Sequence, residues 1–418
     1  MSKNWNRIKV FRKKVSWSLA GNLIYAISQW GIISIIARYG SAEDLGIYSL
    51  GLAVTAPIIL FFNFQLRVIL ATDTNEEFNF PKYLGGRIVH LTLAYIIIIC
   101  ISLLYSKDTI TLFVILLIGL VKYVESLSDI CMGYFQRKSR IDLIGRSQFF
   151  RGLFSMLFFG VFYILTKSIV ISILILLIVM VLRLIFYDFR NLSRFTLYKP
   201  IFDQNAIKQI KWFFPLGLTS LISSLNTNIP RYFLDHYTSV ADVGVFSALY
   251  YILVASNMLI SPISLLAAPR IAKTLKSKTV RPFIKINIQL FLIAILGSLL
   301  IVVPIFIRGD LILTLLYGGE YALYQDTFLI ISSTLVFGFL VAFLNISVIA
   351  ARAIRIQPII NTVTVIVTIV AGFLLIKSFG IYGAAWTLFI SRLTQTFLYI
   401  ILFVYIVINK ISKEKTMR

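Results

Sequence analysis

Long apolar runs alternate along this chain with short gaps, and Lys and Arg crowd into every second gap. Twelve runs can be marked: Val15 to Ala37, Gly46 to Leu66, Ile88 to Leu104, Ile110 to Met132, Gly145 to Leu165, Ile169 to Phe186, Trp212 to Pro230, Val243 to Leu266, Ile286 to Phe306, Phe328 to Ala350, Ile359 to Ile376 and Ile381 to Ile408. Each holds roughly 17 to 28 residues, enough at about 1.5 Å per residue to cross a hydrocarbon core about 30 Å thick. The runs are continuous, without the alternation of lipid-facing and lumen-facing residues in a barrel strand, so a β-barrel is excluded. With 59% hydrophobic residues and a mean hydropathy of +0.90, the pattern predicts an all-α polytopic membrane protein with twelve transmembrane helices.

The charges set an orientation. Lys3, Arg7, Lys9, Arg12, Lys13 and Lys14 precede the first run, Arg190, Arg194, Lys199, Lys208 and Lys211 follow the sixth, and Arg270, Lys273, Lys276, Lys278, Arg281 and Lys285 follow the eighth. The alternate gaps hold about one cation each, namely Arg38, Lys107, Lys167, Arg231, Arg308 and Lys377. By the positive-inside rule both termini are expected in the cytoplasm, in a multi-pass protein of the cytoplasmic (inner) membrane. The net charge of +23 is then a topology signal. Spread over separate loops beside anionic lipid, it calls for no nucleic-acid partner. The first run is too long for the apolar region of a secretory signal and is read as a retained span. Cys100 and Cys131 lie in or beside spans, and His90 and His236 lack neighbours at metal-ligand spacing, so neither a disulfide framework nor a metal site is expected. No Gly-rich phosphate loop is followed by Lys, and no cofactor is called for.

The chain also repeats itself. Asp44-Leu45-Gly46-Ile47-Tyr48-Ser49 before the second span recurs as Asp242-Val243-Gly244-Val245-Phe246-Ser247 before the eighth. Arg137-Lys138-Ser139-Arg140-Ile141 matches Arg352-Ala353-Ile354-Arg355-Ile356, Lys167-Ser168 matches Lys377-Ser378, and Arg183-Leu184 matches Arg392-Leu393. Every match links one span to the span six later. Six spans is an even number, so the copies enter the membrane from the same side as parallel six-helix repeats, with binding expected between them. The expected organisation is an N-terminal lobe over residues 1–187, a cytoplasmic linker over 188–206 and a C-terminal lobe over 207–418.

Charged groups inside a bilayer are costly and turn towards a bundle interior or a watery cavity, so the polar residues of the spans are the candidate site. Ser18, Asn22, Tyr25 and Gln29 share one face of the first helix, and the seventh offers Ser220, Ser223 and Thr227 with Asn226 beside them. Such stripes serve either a lumen or helix-to-helix hydrogen bonding. Lys122, Glu125 and Asp129 share a face of the fourth. They read either as a Lys122–Glu125 pair with Asp129 bridged to Arg137, or as a pair of protonatable carboxylates suited to ion coupling. Arg183 and Arg392 lie deep in the sixth and twelfth spans, where a guanidinium either satisfies backbone carbonyls or forks onto phosphate oxygens.

Asn228-Ile229-Pro230-Arg231-Tyr232-Phe233-Leu234-Asp235 with Asp242 to Leu249, the turn Tyr317-Gly318-Gly319-Glu320-Tyr321 and the segment Gly380-Ile381-Tyr382-Gly383-Ala384-Ala385 resemble the polysaccharide repeat-unit flippases, the Wzx-type branch of the multidrug/oligosaccharidyl-lipid/polysaccharide exporter superfamily. The resemblance extends over essentially the whole chain. It implies a V-shaped, MATE-like pair of lobes that moves an undecaprenyl-diphosphate-linked oligosaccharide between leaflets by alternating access, alongside a polysaccharide polymerase and glycosyltransferases. Under it Arg392, Arg183, Arg231 and Lys122 are the lumen cations for the diphosphate. Asn22, Tyr25, Gln29, Ser223, Asn226 and Thr227 are the polar partners of the sugar, and Glu125, Asp129 and Asp235 are candidates for ion coupling. The prenyl tail is expected to stay in lipid.

Two other functions compete. A drug or metabolite antiporter of the same superfamily would need a carboxylate-bearing cavity for cations, and the sign of the lumen charge separates it from a flippase. A polysaccharide polymerase would need a sizeable outer loop, and the longest here, around Arg308 to Asp326, has ordinary connection length. The chain is therefore expected to be a transporter and not an enzyme.

Overall fold

The computed structural model describes the backbone of residues 2–73, 79–106, 108–202, 205–275 and 279–416, and these residues are almost wholly helical. Several cationic side chains of the topology argument, those of Lys3, Arg7, Lys9, Arg12, Lys13, Lys107, Lys208, Lys276 and Lys278, lie outside the described residues, as do those of Asp203 and Ala206 in the expected linker. The helices are α1 (Ser2–Tyr39), α2 (Ala42–Asn63), α3 (Leu66–Thr72), α4 (Phe80–Tyr105), α5 (Thr109–Arg137), α6 (Ile141–Thr166), α7 (Ile169–Arg183), α8 (Arg190–Leu192), α9 (Asn205–Tyr237), α10 (Val240–Leu275), α11 (Arg281–Tyr317), α12 (Gln325–Ala350) and α13 (Gln357–Thr416).

Nine helical segments among the described residues are long and apolar enough to cross a membrane. The last of them, Gln357–Ser412, is 56 residues long and is broken at Gly380, with φ 53°, ψ −129°. Helices α9 and α10 occupy the seventh and eighth apolar runs. The protein is thus an all-α, multi-pass membrane protein.

Helix starts follow from capping side chains, which satisfy first-turn N–H groups. Ser41 accepts the Asp44 N–H at 3.0 Å, Asn79 that of Lys82 at 3.2 Å, and Asp108 that of Thr111 at 2.8 Å. Ser239 accepts from Asp242 N–H at 3.1 Å, so the duplicated Asp-x-Gly motif marks the same capped turn in both halves. The second span breaks at Phe64 and Gln65, both left-handed (φ 47° and 51°), between α2 and α3. Arg87 closes that break: its guanidinium donates to the Asn63 carbonyl at 3.2 Å and to the Asn63 side chain. A cation at a helix C-terminus also complements the helix dipole.

The chain divides into two compact units, Met1–Ser224 and Leu225–Arg418, with the division inside α9. In the first unit, α1 and α6 meet along a glycine seam. A Cβ on Gly21 would sit 1.9 Å from the Gly145 carbonyl oxygen, one on Gly145 2.2 Å from that of Trp17, and one on Gly152 2.7 Å from the Tyr25 Cα. Small residues let helix backbones approach closely within a bilayer. Phe64, Phe80, Tyr83, Met132, Phe135 and Leu192 form a buried core across the break, α4, α5 and α8.

In the second unit, the Tyr317 hydroxyl donates to the Ala248 carbonyl at 2.9 Å and Ser347 donates to Asn287 at 2.6 Å. The stretch read as an outer loop from Arg308 to Asp326 is largely helical. Helix α11 continues past a break at Arg308 (φ −142°, ψ 44°) to Tyr317, and Gly319–Tyr324 forms a 3₁₀ turn. Burial of Leu313, Tyr317 and Tyr321 explains this, since those side chains pack only if the backbone stays helical. Gly318, at φ 115°, supplies the reversal that an L side chain would resist.

Candidate functional site

Polar side chains from six consecutive segments converge inside the first unit. The glycine seam brings Tyr25 of α1 against Arg151 of α6: Arg151 donates to the Tyr25 hydroxyl at 2.6 Å, and its guanidinium lies 4.2 Å from that ring's centroid. Arg151 also pairs with Glu125 of α5. Glu125 takes Lys122 Nζ at 3.0 Å on its other oxygen and the Tyr25 hydroxyl at 3.4 Å. The sequence reading of a Lys122–Glu125 pair is correct, with Arg151 as a second cation on the same carboxylate.

One turn along α5, Asp129 faces different partners. Arg67 of α3 donates to it at 2.9 Å, and the Arg87 Nη2 stands 3.8 Å from its second oxygen. The two carboxylates therefore sit in separate cationic settings and share no proton directly. Deeper still, Asp188 is fully buried and accepts from Ser128 at 2.6 Å and from Ser147 at 2.7 Å. Arg183 pairs with it at 3.1 Å and donates to Ser147 at 2.6 Å. Sequence alone placed Asp188 at the start of a linker. The structure puts it on a π-helical turn, Leu184–Phe189, that prolongs α7 and turns the carboxylate inwards. Such turns recur at functional sites.

Arg67, Arg87, Lys122, Arg151 and Arg183 are five cations, and Glu125, Asp129 and Asp188 are three carboxylates, so the cluster carries an excess of two positive charges. The cluster has depth. Lys122, Glu125, Arg67 and Asp129 are 23–32% exposed, whereas Arg87, Arg151 and Arg183 are 0–5% exposed behind them. On the insertion scale a lone Arg at the centre of a membrane helix costs about 2.5–3.5 kcal/mol, so a charged row of this exposure is more stable against water or a polar ligand than against lipid. Arg183 Nε and Nη2, Arg151 Nε and Arg87 Nε and Nη2 are buried without a hydrogen-bond acceptor.

Other residues singled out from sequence lie elsewhere. Asn22 is exposed and Gln29 half-buried on α1. In the second unit, Asn226 is buried among hydroxyls, accepting from Thr368 at 2.7 Å and Ser391 at 3.2 Å. Ser223 is exposed, Thr227 half-buried and Asp235 buried on the same helix. Arg231 is also buried, donating to Ser247 at 2.9 Å and to the Thr227 carbonyl at 3.0 Å, with its guanidinium 4.8 Å from the Tyr250 ring centroid. Arg392 is half-buried, donates to Gln395 at 2.9 Å and has no ion-pair partner among the described residues.

Sequence reasoning passed over Arg67, Arg87 and Arg151. Arg87 fell one residue outside a span drawn from hydropathy, yet α4 begins at Phe80. Arg151 carried a legible signal: Ser147, Arg151 and Ser155 recur every four residues, the same one-face criterion that picked out α1.

The polysaccharide biosynthesis protein family matches residues 11–275, more than half of the chain. The chain belongs to that family. This polysaccharide biosynthesis protein is 27% identical over 384 residues to the capsular polysaccharide biosynthesis protein CapF of Staphylococcus aureus, covering 91% of this chain and 96% of CapF. Its fold is similar to those of two solved membrane transporters. The lipid II flippase MurJ in an inward closed conformation matches with a TM-score of 0.76 at 14% identity, over 96% of this chain and 92% of MurJ. An inward-facing multidrug resistance MATE family transporter matches with a TM-score of 0.73 at 12% identity, over 94% of this chain and 96% of that one.

Proposed function

We propose that this family member is a flippase that moves an undecaprenyl-diphosphate-linked oligosaccharide across the cytoplasmic membrane by alternating access, with both termini in the cytoplasm. The observation that carries the reading is the excess of positive charge within the membrane-spanning part of the first unit. A diphosphate cannot cross hydrocarbon unaided, and guanidinium groups bind phosphate oxygens in forked pairs. An antiporter of organic cations would need an unmatched carboxylate. Here Glu125, Asp129 and Asp188 each already hold a cation.

In this reading Lys122 and Arg67 of the exposed row meet the diphosphate, and Arg151, buried behind them, follows as Glu125 releases it. Arg183, paired and buried, adds field from behind. In the second unit Arg392, without a carboxylate partner among the described residues, is the cation open to an anionic ligand, while Arg231 is held by Ser247 and Tyr250. Asn22 and Gln29, with Ser223 and Thr227, supply hydroxyl and amide partners suited to sugar, whereas Tyr25 is held by Arg151 and Glu125, and Asn226 by Thr368 and Ser391. Ion coupling follows from charge balance. When the diphosphate draws Lys122 and Arg151 away, Glu125 loses its counter-ions and takes a proton or another cation in their place, with Asp129 and Asp235 as further coupling candidates.

The test uses proteoliposomes holding a fluorescent undecaprenyl-diphosphate oligosaccharide and an impermeant lectin outside. The protein should expose the sugar in a gradient-dependent way, and Glu125→Gln with Asp129→Asn should still bind substrate but lose the gradient response. Sugar that stays inaccessible with the wild-type protein, under gradients of either sign, would refute the reading.

A further inference from the structure

The helices that carry the cations also wall a cleft of about 700 Å³ in the first unit. Leu84 and Ile88 of α4, Leu127 of α5, Phe189, Leu197 and Tyr198 line it, and Ser193, Thr196 and Lys199 are its polar lining residues. We propose that this cleft receives the first isoprene units of a polyprenyl diphosphate, a reading that rests on the diphosphate site proposed above and extends it to the lipid half of the substrate.

Continuity with the cationic cluster is the main support. Leu84 and Ile88 bracket Arg87 on α4, and Leu127 lies between Glu125 and Asp129 on α5. The charged row and the cleft therefore share α4 and α5 as walls. The volume falls within the roughly 300–1,000 Å³ of small-molecule sites. A single apolar chain fits a cleft whose lining is mostly apolar.

The outer wall is built, not draped. After α8 the chain returns along α4, where Ile201 N–H donates to the Pro81 carbonyl at 3.0 Å. The approach needs Gly85, because a Cβ there would sit 2.0 Å from the Ile201 carbonyl oxygen. Tyr198 stacks on Phe189 with centroids 5.5 Å apart and planes at 10°. Arg140 covers the Phe195 ring at 5.6 Å, and the Tyr134 hydroxyl donates to the Phe195 carbonyl at 3.4 Å. The outward side chains Leu197 and Phe202, 80% and 63% exposed, give the rim an apolar surface suited to the lipid interface. The tail, expected from sequence to remain wholly in lipid, thus gains a protein wall beside its head group.

The experiment places the protein in nanodiscs with a polyprenyl diphosphate bearing a diazirine on its second isoprene, and maps the cross-linked peptides by mass spectrometry. Labelling is expected on the α4 and α5 peptides that hold Leu84, Ile88 and Leu127, displaced by unlabelled undecaprenyl diphosphate and not by phosphatidylglycerol. Ile88→Trp and, separately, Leu127→Trp fill the cleft from two helices. Each should weaken undecaprenyl diphosphate binding about tenfold while leaving isopentenyl diphosphate, which has no chain to seat, unaffected. A monodisperse elution profile and an unchanged Tm show that the variants are folded, and one such variant suffices. Labelling only outside these peptides, or equal displacement by phosphatidylglycerol as at a general acyl-chain site, overturns the proposal and leaves the diphosphate site standing. Failure of the wild-type protein to bind either diphosphate overturns both.

Discussion

Replacing Asp188 by Asn removes one charge from a fully buried site while keeping one acceptor oxygen for either Ser128 or Ser147. Arg183 and Asp188 are 3% and 0% exposed, with 3.1 Å between nitrogen and oxygen. At an effective dielectric constant near 20, a pair at that separation attracts by about 5 kcal/mol before desolvation is subtracted. Asn leaves the guanidinium buried and uncompensated, and breaking a buried pair from one side typically costs about 3–5 kcal/mol. That is a large share of the roughly 5–15 kcal/mol that holds a domain together. Adding Arg183→Gln removes the stranded charge, so the double variant should recover at least about 2 kcal/mol relative to Asp188→Asn alone, a strongly non-additive cycle. Equilibrium unfolding in mixed micelles by SDS titration, followed by helical circular dichroism, measures all four corners. A loss below about 0.5 kcal/mol for Asp188→Asn, or strict additivity in the double variant, would refute the assignment of Asp188 as the counter-charge of Arg183.

Gly145→Val should drive α1 from α6, because a Cβ there meets the Trp17 backbone at 2.2 Å. The expected penalty is about 1–3 kcal/mol in the same titration, with loss of diphosphate binding as Tyr25 leaves Arg151. Gly338→Ala, with nothing within 4 Å of the new methyl group, should be neutral or slightly stabilising. Asp108 caps α5 outside the membrane. Burial raises its pKa, but hydrogen bonds from Thr111 and Ile110 outweigh this and hold the carboxyl below its ordinary value. Its contribution should be present at neutral pH and fade as pH falls through that depressed value, and Asp108→Ala should cost about 1 kcal/mol near neutrality. Reporters fused after Lys199 and after Arg418 should read cytoplasmic and one after Asp235 external. An external signal at Lys199 would invert the proposed orientation.

Hydropathy made the spans legible because each must be apolar over its whole length, and the Asp44 and Asp242 motifs made the repeat legible because both end a capped turn. The helix ends were less so. Hydropathy ends a span where polar residues begin, whereas α4 and α11 run on through Arg87 and Leu313, whose side chains are buried by partners distant in sequence. Lys122 and Glu125 could be paired from spacing alone, since they lie one turn apart on one helix. Arg151 and Tyr25 could not. Their meeting depends on how closely α6 approaches α1, which the glycines at 21, 145 and 152 permit and no single-helix pattern encodes. Asp188 falls in the expected linker because the apolar run ends at Phe186, whereas a π-helical turn carries the helix on to Phe189.

The central claim is that the cations of the first unit hold an anionic head group. Binding of undecaprenyl diphosphate to the protein in nanodiscs tests it most directly, comparing wild type with the double variant Arg151→Gln, Glu125→Gln, which removes the buried cation together with its carboxylate and leaves the partly exposed Lys122 without its partner. The account predicts binding weakened at least about tenfold with an unchanged Tm. Equal affinity in the two proteins would contradict it.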